Sequence, residues 1–238
     1  MNRGSITDIL DSAEALDGYR HACAQNPLNA EARAKQDYSL FFDPDADKIA
    51  ALANTIPICN GADLAILHPS ADNGFPHTRP NNIICLPAGF LSNTSGASAK
   101  NTLIHEAIHL HQRANPELWN RGVQREGWTR ISPAQVPPHL LERCRINPDT
   151  MGRAAGLWAW GGFHVPLPLF VRDDRPTLND VVVKWLDLRN GVAFPRPPPT
   201  FTARYGMPPQ PEHPFELLAV EFSEKGMQTD AEISRGLK

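Results

Sequence analysis

Three residues near the middle of the chain have the types and spacing for hydrolytic chemistry. They are His105, Glu106 and His109, in the run Lys100-Asn-Thr-Leu-Ile-His-Glu-Ala-Ile-His-Leu-His-Gln-Arg113. Together they form an H-E-x-x-H motif. On an α-helix, residues four apart lie one above the other on one face. Two imidazoles so placed can grip one Zn²⁺, and Glu106 can then stand beside a metal-activated water as general base. The plain alternative is a buried helix whose histidines are satisfied and hold no metal.

The surroundings favour a helix. No Gly or Pro interrupts residues 98–114, Ser95 or Ser98 offers an N-cap, and Asn115-Pro116 marks a stop. Leu103, Ile104, Ala107, Ile108 and Leu110 can bury it on more than one side. Before it, 62–68 and 82–86 read as strands, and 69–81 as a loop rich in Pro, Ser, Asp, Asn, Gly and Thr. Residues 5–37 are helical by periodicity, with a break at Asn26-Pro27. The acidic stretch 43–47 lacks the Gly and closing Glu of a calcium loop, and reads as the cap of a helix over 45–55. Further helices are expected over 116–125, 138–145 and 213–224. Strand-like pieces lie at 157–160, 163–165, 167–171 and 181–188, broken by Gly161-Gly162 and prolines. The last dozen residues read as a fraying tail. Together these make an α+β chain without internal repeats.

The totals exclude several classes. The chain has 238 residues, 41% hydrophobic and 21% charged, with a net charge of −3. That is enough chain for a sizeable core, and no basic field invites nucleic acid. None of the four cysteines forms a C-x-x-C pair, and Cys59 and Cys85 sit in apolar strand-like runs as buried free thiols. No secretory h-region or membrane-length apolar run occurs. A cytoplasmic origin is the default expectation, with delivery into another cell by a signal-independent route left open. Many of the 23 prolines fall in the second half, where loops should be long and stiff. There is no G-x-S-x-G elbow and no phosphate-cradling glycine loop.

A catalytic zinc usually takes three protein ligands and one water. The 213–224 helix offers Glu216 and Glu221, which lie five residues apart and so point to different sides. With the H-E-x-x-H helix and the Glu216-Leu-Leu-Ala219 stretch, the sequence resembles the gluzincin group of zinc metallopeptidases. That group pairs the motif helix with a Glu from a later E-x-x-A helix, whose small residue lets the two helices approach. The resemblance covers a quarter of the chain or less, and the separation from His109 exceeds that of compact members. The metzincin extension is absent after His109.

The resemblance implies Zn²⁺ held by His105, His109 and Glu216, with Glu221 as rival third ligand. It implies a zincin-like core, with a small sheet next to the motif helix, a second Glu-bearing helix and long Pro-rich loops. Residues 1–238 would form a single domain: a helical 1–60, strands plus the active-site helix in 62–130, and a Pro-rich 131–238 with the third-ligand helix. The expected function is a zinc-dependent metallopeptidase that hydrolyses peptide bonds with Glu106 as general base. Its partner is a protein or peptide substrate, with no nucleic acid and no membrane. Two alternatives stand beside it. One is a zinc hydrolase of non-peptide amides. The other is a non-catalytic interaction protein with a structural or degenerate motif.

Other residues have weaker claims. His164, Tyr205 and His213 could donate to a developing oxyanion or support the ligands from behind. His111 points away from the His105/His109 face and reads as a supporting or surface residue. Asp149 could orient a ligand histidine, although a turn cap suits it better. Arg125 or Arg130 could take a substrate carboxylate, with surface solvation the default. Strand 82–86 could offer an edge to substrate backbone, or be an ordinary core strand.

Overall fold

The computed structural model describes residues 6–151, 156–208 and 211–238. Residue 5, the expected start of the first helix, and Pro209 of the proline-rich segment lie outside the described residues. Three short helices open the chain: α1 (Ile6–Asp17), α2 (Tyr19–Gln25) and α3 (Pro27–Arg33). Asn26 ends α2 and caps α3, its side chain accepting the Asn29 N–H at 3.0 Å, so the expected break falls at Asn26-Pro27. Helix α4 (Ala46–Asn54) follows the acidic stretch. The expected side-chain cap is not formed at its N-cap residue Asp45; Asp43 instead braces the chain just before the helix. Its Oδ1 accepts the Asp45 N–H at 2.8 Å, and its Oδ2 accepts the Gly89 N–H at 2.7 Å.

Strands β1 (Asp63–Leu67), β2 (His77–Arg79) and β3 (Ile83–Pro87) form a small sheet in the order β1-β3-β2. β1 runs parallel to β3, and β2 runs antiparallel to it. Two expectations are corrected here. The 69–81 loop contains β2, joined to β3 by a tight turn in which Asn81 and Asn82 adopt φ of 64° and 62°. Asn tolerates that left-handed region better than most residues. In addition, β3 is the central strand. Both of its edges are paired, so 82–86 is a core strand and offers no edge to a substrate backbone.

The motif helix is α5 (Gly96–Ala114), followed by α6 (Pro116–Arg125). Ser95 caps α5, accepting the Ser98 N–H at 3.3 Å. A five-stranded antiparallel sheet comes next: β4 (Trp128–Ile131), then the single turn α7 (Pro138–Leu141), β5 (Leu157–Trp160), β6 (His164–Phe170), β7 (Val181–Asp187) and β8 (Val192–Phe194), paired in chain order. The expected break at Pro166 does not occur, and β6 also runs on through Pro168. Pro168 O accepts the Arg145 N–H at 2.7 Å and Phe170 N–H donates to Arg143 O at 3.0 Å, so this register of β6 faces away from β7. The missing proline donors therefore cost the β6–β7 ladder nothing.

Three helices finish the chain: α8 (Pro199–Tyr205), α9 (Pro214–Glu224) and α10 (Asp230–Gly236). The last corrects the expected fraying tail. Thr229 and Glu232 form a reciprocal capping box, and Ile233 and Leu237 are buried. Gly122 on α6 makes room for Leu237, because a Cβ there would lie 2.6 Å from the Leu237 Cδ2. The main core gathers around α5 and α9: Ile104, Ala107, Ile108, Trp119, Trp128, Trp158, Trp185, Phe215 and Ala219. Cys59 lies in a 3-10 turn (Pro57–Cys59), not a strand, but is buried as expected, as is Cys85; all four cysteines are free. Among the described residues, no helix is long and apolar enough to cross a membrane.

A buried polar network ties the N-terminal helices to the loop before β2. Asp72 Oδ1 accepts from Tyr19 Oη at 2.5 Å, Tyr38 Oη at 3.0 Å and Arg33 Nε at 3.1 Å. Burial pushes the Asp72 carboxyl up, but His77, Arg33 and the two tyrosine hydroxyls outweigh it and hold the group below its ordinary value. The folded pKa is depressed, so this stability is complete above pH ~4 and is lost as pH falls through the folded value. Asp72→Asn should therefore cost about 3–5 kcal/mol at pH 7. The deficit against wild type should shrink below pH ~4, as read by urea titrations across pH. Ile233→Ala should destabilise by about 2–5 kcal/mol in the same assay. A tail that frayed would show no change.

Candidate metal and hydrolytic centre

Helices α5 and α9 pack together. α9 begins Pro-Phe-Glu-Leu-Leu-Ala, so its first turns are apolar apart from Glu216, and Pro214 to Ala219 are all buried. Glu216 lies in the first turn, where backbone N–H groups favour an anion. The packing delivers its carboxylate to the motif. Glu216 Oε2 lies 3.5 Å from His105 Nε2 and 3.3 Å from His109 Nε2, and the two ring nitrogens are 3.0 Å apart. Among the described residues this trio is the cluster of three or more His, Cys, Asp or Glu able to hold a metal ion.

Three observations test whether zinc fits. The first is spacing. Nitrogen and oxygen donors about 2.05 Å from a tetrahedral centre lie roughly 3.3 Å from one another. The observed separations bracket that distance. The second is tautomer. Gln112 Nε2 donates to Phe215 O at 2.9 Å, so Gln112 Oε1 must be the atom 2.7 Å from His109 Nδ1. His109 Nδ1 therefore carries a hydrogen, which leaves Nε2 as the atom that would take a metal in exchange for a proton. The third is Glu106, buried beside the cluster with Oε2 lacking any partner. These residues fit a zinc ion.

A second amide orients the carboxylate. Asn147 Oδ1 accepts the Asp149 N–H at 3.0 Å, which leaves its Nδ2 to donate to Glu216 Oε1 at 2.8 Å. One carboxylate oxygen is thereby held and the other faces the histidines. The 147–151 loop is itself clamped by Arg113 of α5, whose guanidinium donates to the carbonyls of Thr78, Pro148 and Met151.

Electrostatics follow from this burial. For His109, burial opposes the charge, but Glu216 and then Asp149 overcome it and raise the group to about 10. For Glu216, burial raises the carboxyl, yet His109 and His105 pull it well below its ordinary value. The buried carboxylate thus requires a cation at the Nε2 atoms, whether proton or metal. For Glu106, burial and then Asp149 raise the carboxyl to about 7, against the pull of His105 and His109.

His105 and Glu106 open onto a cleft of about 730 Å³ that also touches Glu216 and Asp149. The remaining candidates fall elsewhere. Glu221 bonds Arg204 at 3.3 Å and Lys225 at 2.5 Å, on a different side of α9 from the histidines. His213 is the N-cap of α9: it accepts the Phe215 N–H at 3.2 Å and donates to Gly156 O at 3.1 Å, so neither nitrogen is left for a substrate. Burial depresses it to about 4. Tyr205 Oη is engaged by Trp128 Nε1 at 3.2 Å and Glu126 at 3.5 Å. His164 stands by Asp187 at 3.9 Å. Neither lines the cleft, and neither do Arg125 and Arg130. His111 is buried and accepts from Trp119 Nε1 at 2.9 Å, a structural role. Asp149 caps Thr78, accepting its N–H at 2.7 Å and its hydroxyl at 2.6 Å.

The sequence reading missed Gln112, Arg113 and Asn147. Gln112 was within reach, because it lies three residues after His109 on a neighbouring helix position. Asn147 carries no spacing signal toward the motif. Compared with family models, curated proteins and solved structures, the chain matches none.

Replacing Gln112 by Leu removes the acceptor that sets the His109 tautomer. The dissociation constant for zinc should rise about 10- to 100-fold, measured by competition with a chromophoric chelator. Unchanged affinity would show that the tautomer is set by another group.

Proposed function

We propose that the chain is a zinc-dependent metallopeptidase with a zincin-like core. The observation that carries this reading is the convergence of His105, His109 and Glu216 beside the unpartnered, buried Glu106 Oε2. A bound zinc ion would supply Lewis-acid polarisation of the substrate carbonyl and a water that ionises near neutrality. His105 Nε2, His109 Nε2 and Glu216 Oε2 would hold it.

The remaining chemistry belongs to the chain. Glu106 Oε2 takes the proton of the attacking water and delivers it to the leaving nitrogen. Burial raises this carboxyl in the metal-free protein, and the charge of a bound cation would favour its carboxylate form, the state a general base needs. Gln112 and Asn147 hold His109 and Glu216 in register throughout. A purely structural zinc site needs no base, and leaving a buried carboxylate oxygen unpaired costs about 1–3 kcal/mol. That cost is unexplained in a non-catalytic interaction protein and explained in a hydrolase. A hydrolase of non-peptide amides would use the same four residues.

Two measurements test the proposal. Purified protein should contain about one zinc per chain by elemental analysis, and His105→Ala should lose it. Glu106→Gln should keep the zinc while peptide hydrolysis falls by about 10²–10⁴-fold. Wild-type protein that takes up no zinc after reconstitution would sink the reading.

A further inference from the structure

The cleft over His105 and Glu106 has both polar and apolar lining residues. The polar side chains are largely paired with one another, although Asp72 Oδ2 and Arg145 Nε have no hydrogen-bond partner. Arg33 donates to Tyr19, Asp72, Asn29 and the Ile146 carbonyl, and Arg145 is paired with Glu212. Glu224, four residues after Val220 on α9, also lines the cleft and is exposed, with no ion pair to another described side chain.

The apolar lining includes a wall formed by one strand face. Strand β7 alternates across it: Val181, Val183 and Trp185 line the cleft, while Val182 and Lys184 are exposed on the opposite face. Trp185 and the fully buried Phe201 pack with ring centroids 4.5 Å apart and make a rigid backing. Val181 and Val183 are only partly buried and form the accessible surface. Val220 is an apolar lining residue close to the metal-binding trio. It lies four residues after Glu216 on α9, hence on the same helix face about 5–6 Å away, and it lines the same cleft. That distance is the reach of one side chain.

We propose that this wall is the side-chain pocket of the site, and that its substrates carry a large apolar residue beside the bond cleaved. The inference rests on the hydrolase reading for its context, but the pocket can be tested without turnover or metal. An apolar side chain placed against Val181, Val183 and Val220 leaves water for a surface it matches. An acidic one would lose hydration there without gaining a partner, since α9 adds the Glu224 carboxylate to the same lining.

The experiment uses Glu106→Gln protein, so that peptides are bound and not cut. Fluorescein-labelled peptides of one Ala-rich sequence differ at a central position that is Phe, Leu, Gly, Lys or Asp, and binding is read by anisotropy. The Phe and Leu peptides should bind about 10- to 100-fold more tightly than the Gly and Asp peptides. Adding Val183→Asp should erase the preference, whereas Val182→Asp, on the outer face of the same strand, should keep it. The milder Val181→Thr/Val183→Thr pair should reduce it if Val183→Asp does not fold. Equal affinity for all five peptides, no binding of any, or a preference that survives the Val183 changes would overturn the inference. Zinc content of the metal-reconstituted wild-type protein separates the two claims. Zinc without a preference removes the pocket and leaves the hydrolase reading, and a preference without zinc does the reverse.

Discussion

A single carboxylate buried between two apolar helices constrains the centre of this protein. Glu216 is almost wholly removed from water, and its Oε2 faces two imidazole nitrogens. An isolated carboxylate in that setting would be neutralised by taking up a proton. Here a cation at the two Nε2 atoms must supply the compensating charge, so α5 and α9 are held together by an electrostatic requirement as well as by Ala107, Phe215 and Ala219. The same requirement makes the trio receptive to a divalent cation, which can replace the proton at Nε2.

The supports around the trio come from backbone bonds, which gives them definite chemistry. Gln112 is oriented by the Phe215 carbonyl and Asn147 by the Asp149 amide. Each amide then has one atom left, and that atom sets the state of a candidate ligand: a hydrogen on His109 Nδ1, and a held Oε1 on Glu216. Arg113 adds a second tie from α5 to the 147–151 loop. Motif helix, Glu-bearing helix and loop therefore form a closed circuit, in which moving one part disturbs the other two.

The elements farther out serve to place surfaces. β7 presents every second residue to the cleft, so one strand supplies both an apolar wall and an exposed outer face. Proline-rich chain after β8 lines the same cleft through Pro195 and Pro197. Its fixed φ angles hold a loop in place that has little secondary structure of its own. At the opposite end, α10 closes over α6 because Gly122 leaves space for Leu237.

Much of this was legible in the chain. The uninterrupted apolar pattern of 98–114, the N-cap serine and the Asn-Pro stop define α5, and i,i+4 spacing places His105 and His109 on one face whatever surrounds them. These are local facts, settled by helix geometry. The α+β character and the α9 helix follow from period and capping in the same way. Glu216 was reached by resemblance, not by spacing, because a contact across more than a hundred residues leaves no periodic trace. Tertiary structure alone decided the rest. It made β3 a central strand, because only strand order shows which edges are paired. It carried β6 through two prolines, because only the sheet shows that their missing donors face away from β7. It turned the tail into α10, because the burial of Ile233 and Leu237 depends on a neighbour far away in sequence. It also set His213, Tyr205 and His164 apart from the trio, since each had already spent its polar atoms or faced elsewhere, and it brought Gln112 and Asn147 against the trio instead.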